Sequence, residues 1–257
     1  MSAWDLLTLP ALSGESLQRL LDNEIAAITV PGFVDETHRR SACAALGDAR
    51  DWAFYEGTSP PLGRIGITQY EWHDRREEYL VASPLASARR GELLAPLADP
   101  VDLVMQAFDA AWPGAVRVAE EDGRLYFVGI FRRGGGGVKI HADWGPRDGP
   151  GWAIGEITAQ LAWNLHYTPP RVGGELIVYD YPWQPHLEDD ARQRFSDYNP
   201  RHFTESPRLS VPPRPGDLIV FNARNVHAVG SSPESHSRIS VGSFVGLAPG
   251  GDLIFWS

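Results

Sequence analysis

From Arg124 to Leu247 the chain is a succession of short runs rich in β-branched and aromatic residues, each broken by Gly, Pro, Asn or Asp. The runs are RLYFVGIFRR, GVKIHAD, ITAQLAWNLHYT, GELIVYD, RLSVPP, GDLIVFN, VHAVG and RISVGSFVGL. Short strands separated at close intervals by turn residues specify a sandwich or barrel, and this number of strands makes a jelly roll. Between YDYPWQP and RLSVPP lies HLEDDARQRFSDYNPRHFTESP, too long and polar for a hairpin turn, which reads as a covering loop or helix.

Upstream the pattern differs. SGESLQRLLDNE reads as an amphipathic helix, IAAITV as a strand, and DETHRRSACAALGDA as a helix opening on Asp35 as N-cap. DPVDLVMQAFDAAW has apolar residues at helical spacing, with Pro113 just beyond its end. Residues 51–97 have mixed periodicity and many aromatics, which suits a lid or substrate-facing segment and allows no regular assignment. The expected fold is α+β with a mainly β core: a jelly roll flanked by N-terminal helices. A chain of 257 residues with 43% hydrophobic content can fill one domain. We expect a single domain over 1–257, with 1–123 as helical support and substrate-facing region and 124–247 as the core.

No stretch approaches the roughly 18 consecutive apolar residues of a membrane span, and the start has no basic region leading into an apolar one. A single cysteine, Cys43, rules out an internal disulfide and a multi-cysteine metal cluster. A cytoplasmic location is therefore expected. The net charge of −10 disfavours a phosphate-backbone partner, leaving a small molecule and neither nucleic acid nor membrane. The sequence leaves the oligomeric state open.

Within this frame VKIHADWGP sets His141 and Asp143 two apart on a strand, so that both face the same side. A lone His-x-Asp is more often a satisfied core histidine beside a turn-former. His227, which begins a short strand after PGDLIVFN, is the best third member. Two imidazoles and one carboxylate on one side leave three coordination positions open, the set typical of non-haem Fe(II) oxygenases. Arg238 follows His227 by eleven positions, with Ser240 on the same face of its strand. A guanidinium facing into a barrel calls for a carboxylate, so the pair reads as a carboxylate receptor, although Arg-x-Ser alone fits a surface strand too. On ITAQLAWNLHYT, Gln160, Ala162, Asn164 and His166 share one face and Leu161, Trp163 and Leu165 the other. Gln160 and Asn164 therefore either reach the bound molecules or satisfy interior hydrogen bonds. Glycines 134–137 lack a following Gly-Lys-Ser/Thr, and no Gly-x-Ser-x-Gly elbow is present, which argues against phosphate-loop and hydrolase readings.

These segments resemble the Fe(II)/2-oxoglutarate-dependent dioxygenase superfamily over roughly 124–247. The resemblance rests on FRRGGGGVKIHAD, GGELIVYD, RPGDLIVFNARNVHAV and the ten residues between His227 and Arg238, with a weaker likeness in VPGFVDETHRRSACAAL. It implies a cupin-like double-stranded β-helix, Fe(II) on His141, Asp143 and His227, and O₂ as oxidant. It further implies 2-oxoglutarate with its distal carboxylate on Arg238 and Ser240. AQLAWNLHY is similar to the corresponding strand of small-molecule hydroxylases and carrier-independent halogenases. In those halogenases a small residue holds the carboxylate position, so Asp143 implies hydroxylation of an unactivated C–H with release of succinate and CO₂. Protein side-chain hydroxylation and ligand binding without catalysis are the other readings. Substrate contacts are expected from Tyr70, Trp72, Trp144 and Trp152, in segments that also carry Tyr55, Trp183, Arg64, Arg75 and Arg147. That mixture suits a small, partly apolar carboxylate: a free or N-acylated amino acid or a natural-product intermediate.

Overall fold

The computed structural model describes residues 4–55, 61–192, 196–233 and 238–257. Every run read as a strand forms one: β1 (Ile130–Gly134), β2 (Val138–His141), β3 (Ala159–Thr168), β4 (Leu176–Pro182), β5 (Arg208–Val211), β6 (Leu218–Asn222), β7 (Asn225–Val229) and β8 (Arg238–Leu247). They divide into two sheets, β1-β8-β3-β6 and β2-β7-β4-β5, with neighbours antiparallel. Apart from β4 and β5, which the long insertion joins within the smaller sheet, consecutive strands alternate between the sheets. That winding is the double-stranded β-helix expected from the sequence. The larger sheet is extended by Ala27–Val30 beside β6 and Gly63–Ile65 beside β1, while Leu253–Trp256 pairs with the far half of β8.

The period of two along β3 separates core from cavity. Leu161, Trp163, Leu165 and Tyr167 are buried with Leu218, Val220, Val241 and Val245 of the neighbouring strands. Against that face pack Leu17 and Leu20 of α1 (Gly14–Leu21), and Val101, Val104 and Phe108 of a helix at Pro100–Ala111. α1, the Pro100–Ala111 helix and a helix at Glu36–Asp48 begin where the sequence supplies a cap. Ser13 and Ser16 form a capping box for α1, and Asp99 accepts from the Val101 amide. Asp35 accepts from the His38 amide at the start of α2 (Glu36–Asp48), as expected.

One segment departs from the expected organisation, and the insertion covers the smaller sheet as expected. More than a third of 51–97 is a regular helix, α3 (Arg76–Leu94), which makes the Pro100–Ala111 helix α4. Pro84 lies inside α3 and its apolar residues form no single stripe: Tyr79 and Leu80 are buried, Val81 and Leu85 exposed. Ahead of α3 come Ala53–Phe54, Gly63–Ile65 and a 3₁₀ turn at Gln69–Trp72; residues 56–60 lie outside the described residues. The insertion after β4 contains short 3₁₀ turns at Pro185–Glu188 and Pro200–His202, with 193–195 outside the described residues. Its Leu187, Tyr198 and Phe203 pack on Ala142 and Val226, on the outer face of the smaller sheet and away from the interior. Among the described residues no helix is long and apolar enough to cross a membrane.

Leu165 is fully buried on the core face of β3. Leu165→Ala should cost about 2–5 kcal/mol of folding stability through the lost burial and the cavity left behind. Urea denaturation checks this, and a cost below about 1 kcal/mol would mean that the face is loosely packed.

Candidate active site

The tight entry to β2 depends on glycine. A Cβ at Gly137 would lie 2.6 Å from the Val229 carbonyl oxygen, and its φ of +71° is left-handed. The glycine run thus lets the β1–β2 turn sit close against β7. Across that β2–β7 pair His141 stands directly opposite His227, with ring centroids 4.1 Å apart. Ala142 points outward into the apolar cluster under the insertion, so Asp143 returns to the side of His141. Its amide donates to the Ala223 carbonyl at 2.9 Å.

Asp143 Oδ2 lies 3.3 Å from His227 Nε2 and 3.7 Å from His141 Nε2. Each imidazole turns Nδ1 to a backbone carbonyl two residues earlier, His141 to Lys139 at 2.7 Å and His227 to Asn225 at 2.8 Å. With Nδ1–H donating there, the Nε2 lone pairs face Asp143, as metal-binding histidines require. One ligand atom from each of the three residues lies within 4.8 Å of the others. Burial, then the charge of His227, lowers His141 to about 4. Burial alone would raise Asp143, but His141, His227 and Arg147 together bring it down to about 2. Two imidazole nitrogens and a carboxylate converging on one point are a donor set for a divalent transition metal with open positions.

A cavity of about 710 Å³ opens from this cluster between the sheets. One wall is the inward face of the larger sheet, where antiparallel register aligns His166, Ser240 and Arg132 across β3, β8 and β1, with Arg238 two residues before Ser240. Arg238 is 6% exposed, and its Nε has no protein partner among the described residues, nor does Nδ1 of the buried His166. Burial, then the Arg132 charge, lowers Arg238 to about 10, so it remains a cation at neutral pH. Unanswered buried donors on one wall fit an anionic group such as the distal carboxylate of a 2-oxo diacid.

Asn164 faces the cavity above Gly242, where a Cβ would lie 2.6 Å from its Oδ1. Gln160 also faces inward, but its Oε1 accepts from the Gly145 amide at 2.7 Å, which holds the turn after Asp143. Tyr70 and Trp72 line the cavity, as do Tyr55, Arg64, Arg75 and Arg147. Trp152 does not: it is buried against Tyr79 and Tyr126. Trp144 lies outside the lining with Arg224 stacked 4.8 Å over its ring, and Trp183 is likewise outside. The sequence reading passed over Arg132. Followed by Arg133 in FRRGGGG, it carries no local pattern that sets it apart.

Residues 11–257 match the family described as carrier-protein-independent halogenase WelO5. The chain belongs to that family. It is 34% identical over 270 residues to the L-gamma-glutamyl-L-propargylglycine hydroxylase of Streptantibioticus cattleyicolor, covering 97% of each chain. It is also 34% identical over 215 residues to the leucinostatins biosynthesis cluster protein S of Purpureocillium lilacinum, covering 79% of this chain and 88% of that one. Among solved structures it resembles an N-substituted L-amino acid dioxygenase from Burkholderia ambifaria, with TM-score 0.65, 15% identity and coverage of 95% and 91%. The family member described here is a non-haem iron oxidoreductase that uses 2-oxoglutarate and O₂.

Burial and the Arg238 charge lower His166 to about 3. In the unfolded chain it titrates near 6.5, so between about 6.5 and 3 the unfolded state binds the extra proton. Its contribution is unfavourable in that window, and stability falls as pH drops through it by up to about 1.4 kcal/mol per unit. His166→Gln should flatten the fall between pH 6.5 and 4.5 in the metal-free protein, read from urea midpoints. An unchanged slope would show that His166 is not held neutral.

Proposed function

We propose that His141, Asp143 and His227 hold Fe(II), that Arg238 with Ser240 receives the distal carboxylate of 2-oxoglutarate, and that the enzyme hydroxylates an aliphatic C–H of a free or N-acylated amino acid or a related biosynthetic intermediate. One domain carries the whole activity. The observation that bears most weight is Asp143, which faces both imidazoles at 3.3 and 3.7 Å. A carboxylate there fills the position that a halide needs, so hydroxylation is the outcome rather than halogenation. The hydroxylase relative, aligned over nearly the whole chain, supports both the reaction and an amino-acid-derived substrate.

When bound, the iron couples oxidative decarboxylation of 2-oxoglutarate to oxidation of the substrate C–H. The protein's own residues orient and insulate. The Lys139 and Asn225 carbonyls fix which nitrogens His141 and His227 present. Arg147 donates to the Ala142 carbonyl at 2.6 Å and pairs with Asp148 at 2.5 Å, bracing the backbone beside Asp143. Phe221, Phe244 and Ile219 give the cavity an apolar stretch of wall. The cavity volume of about 710 Å³ suits two small molecules side by side, which favours a small substrate over a protein side chain.

Anaerobic addition of Fe(II) and 2-oxoglutarate should give a weak visible charge-transfer band that His227→Ala abolishes; an unchanged band would remove His227 from the ligand set. Arg238→Lys should raise the KM for 2-oxoglutarate about 10–100-fold, because an ammonium keeps the charge but loses the two-pronged match. An unaltered KM in both Arg238→Lys and Arg238→Ala would place the receptor elsewhere.

Asp143→Gly should nearly abolish hydroxylation, since the ligand set loses its charge and one donor. Mass spectrometry of products in chloride and chloride-free buffer tests this. Full hydroxylation by Asp143→Gly, or chlorination by the wild type, would overturn the assignment of Asp143.

A further inference from the structure

Most charged side chains of the cavity wall have a partner of opposite sign. Arg64 pairs with Glu71 at 2.9 Å, Arg147 with Asp148 at 2.5 Å, and Lys139 at the rim with Asp197 at 3.1 Å. Among the described residues, Arg132 and Arg238 have no carboxylate within ion-pair distance. Arg238 is answered by the seat proposed for 2-oxoglutarate, whereas Arg132 has the Tyr55 hydroxyl as a neutral partner and no carboxylate.

Arg132 sits on β1 directly opposite Ser240, on the wall that carries Arg238. On its other side Gly63–Ile65 pairs with β1, which sets it next to the segment leading to Tyr70. Tyr55 and Tyr70 both line the cavity, their rings stacked at 6.1 Å and inclined by 17°. Tyr55 shares a hydrogen bond with Arg132, and Tyr70 and, from beyond ion-pair distance, Asp143 interact with it electrostatically. Two guanidiniums on one enclosed wall repel each other, and water-poor surroundings magnify the cost unless two anionic groups answer them. A 2-oxo diacid that chelates a metal through its 1-carboxylate and 2-oxo group has a single carboxylate left. The second anion then has to come from the other reactant.

We propose that Arg132, flanked by Tyr55 and Tyr70, binds the carboxylate of the organic substrate, so that the enzyme selects an anionic, amino-acid-like molecule over its neutral analogue. This rests on the reading of Arg238 as the 2-oxoglutarate receptor. Tyr55 and Tyr70 add hydroxyl groups beside the guanidinium, and Trp72 beyond them offers an aromatic surface for the apolar remainder of the molecule. A substrate tethered in this way has one end fixed on the β1 side of the cavity, which limits the carbons it can present to the metal seat.

The test uses Fe(II)- and 2-oxoglutarate-loaded protein without O₂. Free and N-acetylated L-amino acids, each beside its primary amide, are titrated by calorimetry, and 2-oxoglutarate affinity is read separately from the visible band. In the wild type the best acid should bind at least about tenfold tighter than its amide, the size of one charge-assisted contact. Arg132→Gln should bring acid and amide within about twofold of each other and leave the Kd for 2-oxoglutarate within about threefold. Tyr70→Phe removes only a hydroxyl at the cavity mouth; it should weaken the acid about threefold and spare the amide, which keeps the question open to test if Arg132→Gln does not fold.

The inference is overturned if no acid in the panel outbinds its amide on the wild type, or if Arg132→Gln keeps the preference. It is also overturned if Arg132→Gln weakens 2-oxoglutarate about tenfold, which would assign Arg132 to the co-substrate instead. Failure of the underlying reading has a different signature: no visible band in the wild type, or an Arg238→Ala protein with unchanged 2-oxoglutarate affinity. Either result removes the premise and the inference with it.

Discussion

The antiparallel pairing of β2 with β7 places His141 and His227 face to face, and the rest of the site takes its position from that contact. Strand geometry permits it only because the preceding turn lies close to β7, where Gly137 leaves no Cβ against the Val229 carbonyl. The alternation of β2 then buries Ala142 outward and returns Asp143 inward. A single register therefore supplies both the spacing of the imidazoles and the side on which the carboxylate appears. A slip by one residue would turn the donor set away from the cavity.

The two halves of the site come from opposite sheets. The smaller sheet carries His141 and His227, with Asp143 just beyond its edge, and the larger carries the cations Arg238 and Arg132, the latter opposite Ser240. Facing sheets lie about 10 Å apart. This separation lets negative and positive groups share a low-dielectric space without collapsing into ion pairs with one another. Asp143 stays ionised because both histidines and Arg147 favour its charge, and Arg238 stays cationic despite burial. The wall is thus charged and preorganised before any molecule enters.

Much of this was legible in the chain. The eight β runs were readable because alternation and turn residues mark half-buried strands independently of long-range contacts. Side-chain parity on β3 correctly assigned Gln160, Asn164 and His166 to one face and Trp163 and Leu165 to the other. Parity alone did not show that the Gln160 oxygen is occupied by the Gly145 amide, since that partner comes from a neighbouring turn. Helix α3 was hidden by Pro84 and by apolar residues spread around its circumference. Trp152 shows a further limit: an aromatic in a loop reads the same whether it meets a ligand or a core, and its partners Tyr79 and Tyr126 are distant in sequence. Arg132 was missed because its importance depends on the strand at Gly63–Ile65 and the phenols behind it, which no local pattern announces.

The insertion after β4 covers the back of the smaller sheet and reaches the cavity at Ser196, beside His141, while Tyr55, Tyr70 and Trp72 line the cavity from the larger-sheet side. Selection on the molecule is divided accordingly. Changes under Leu187, Tyr198 and Phe203 would act on the packing behind the strands that carry His141 and His227. Changes at Tyr55, Tyr70 and Trp72 would reshape the cavity wall without moving the β2–β7 pair. A lineage of such enzymes can therefore diversify its chemistry on new molecules by exchanging one short stretch at the mouth, and inherit the reactive centre unaltered.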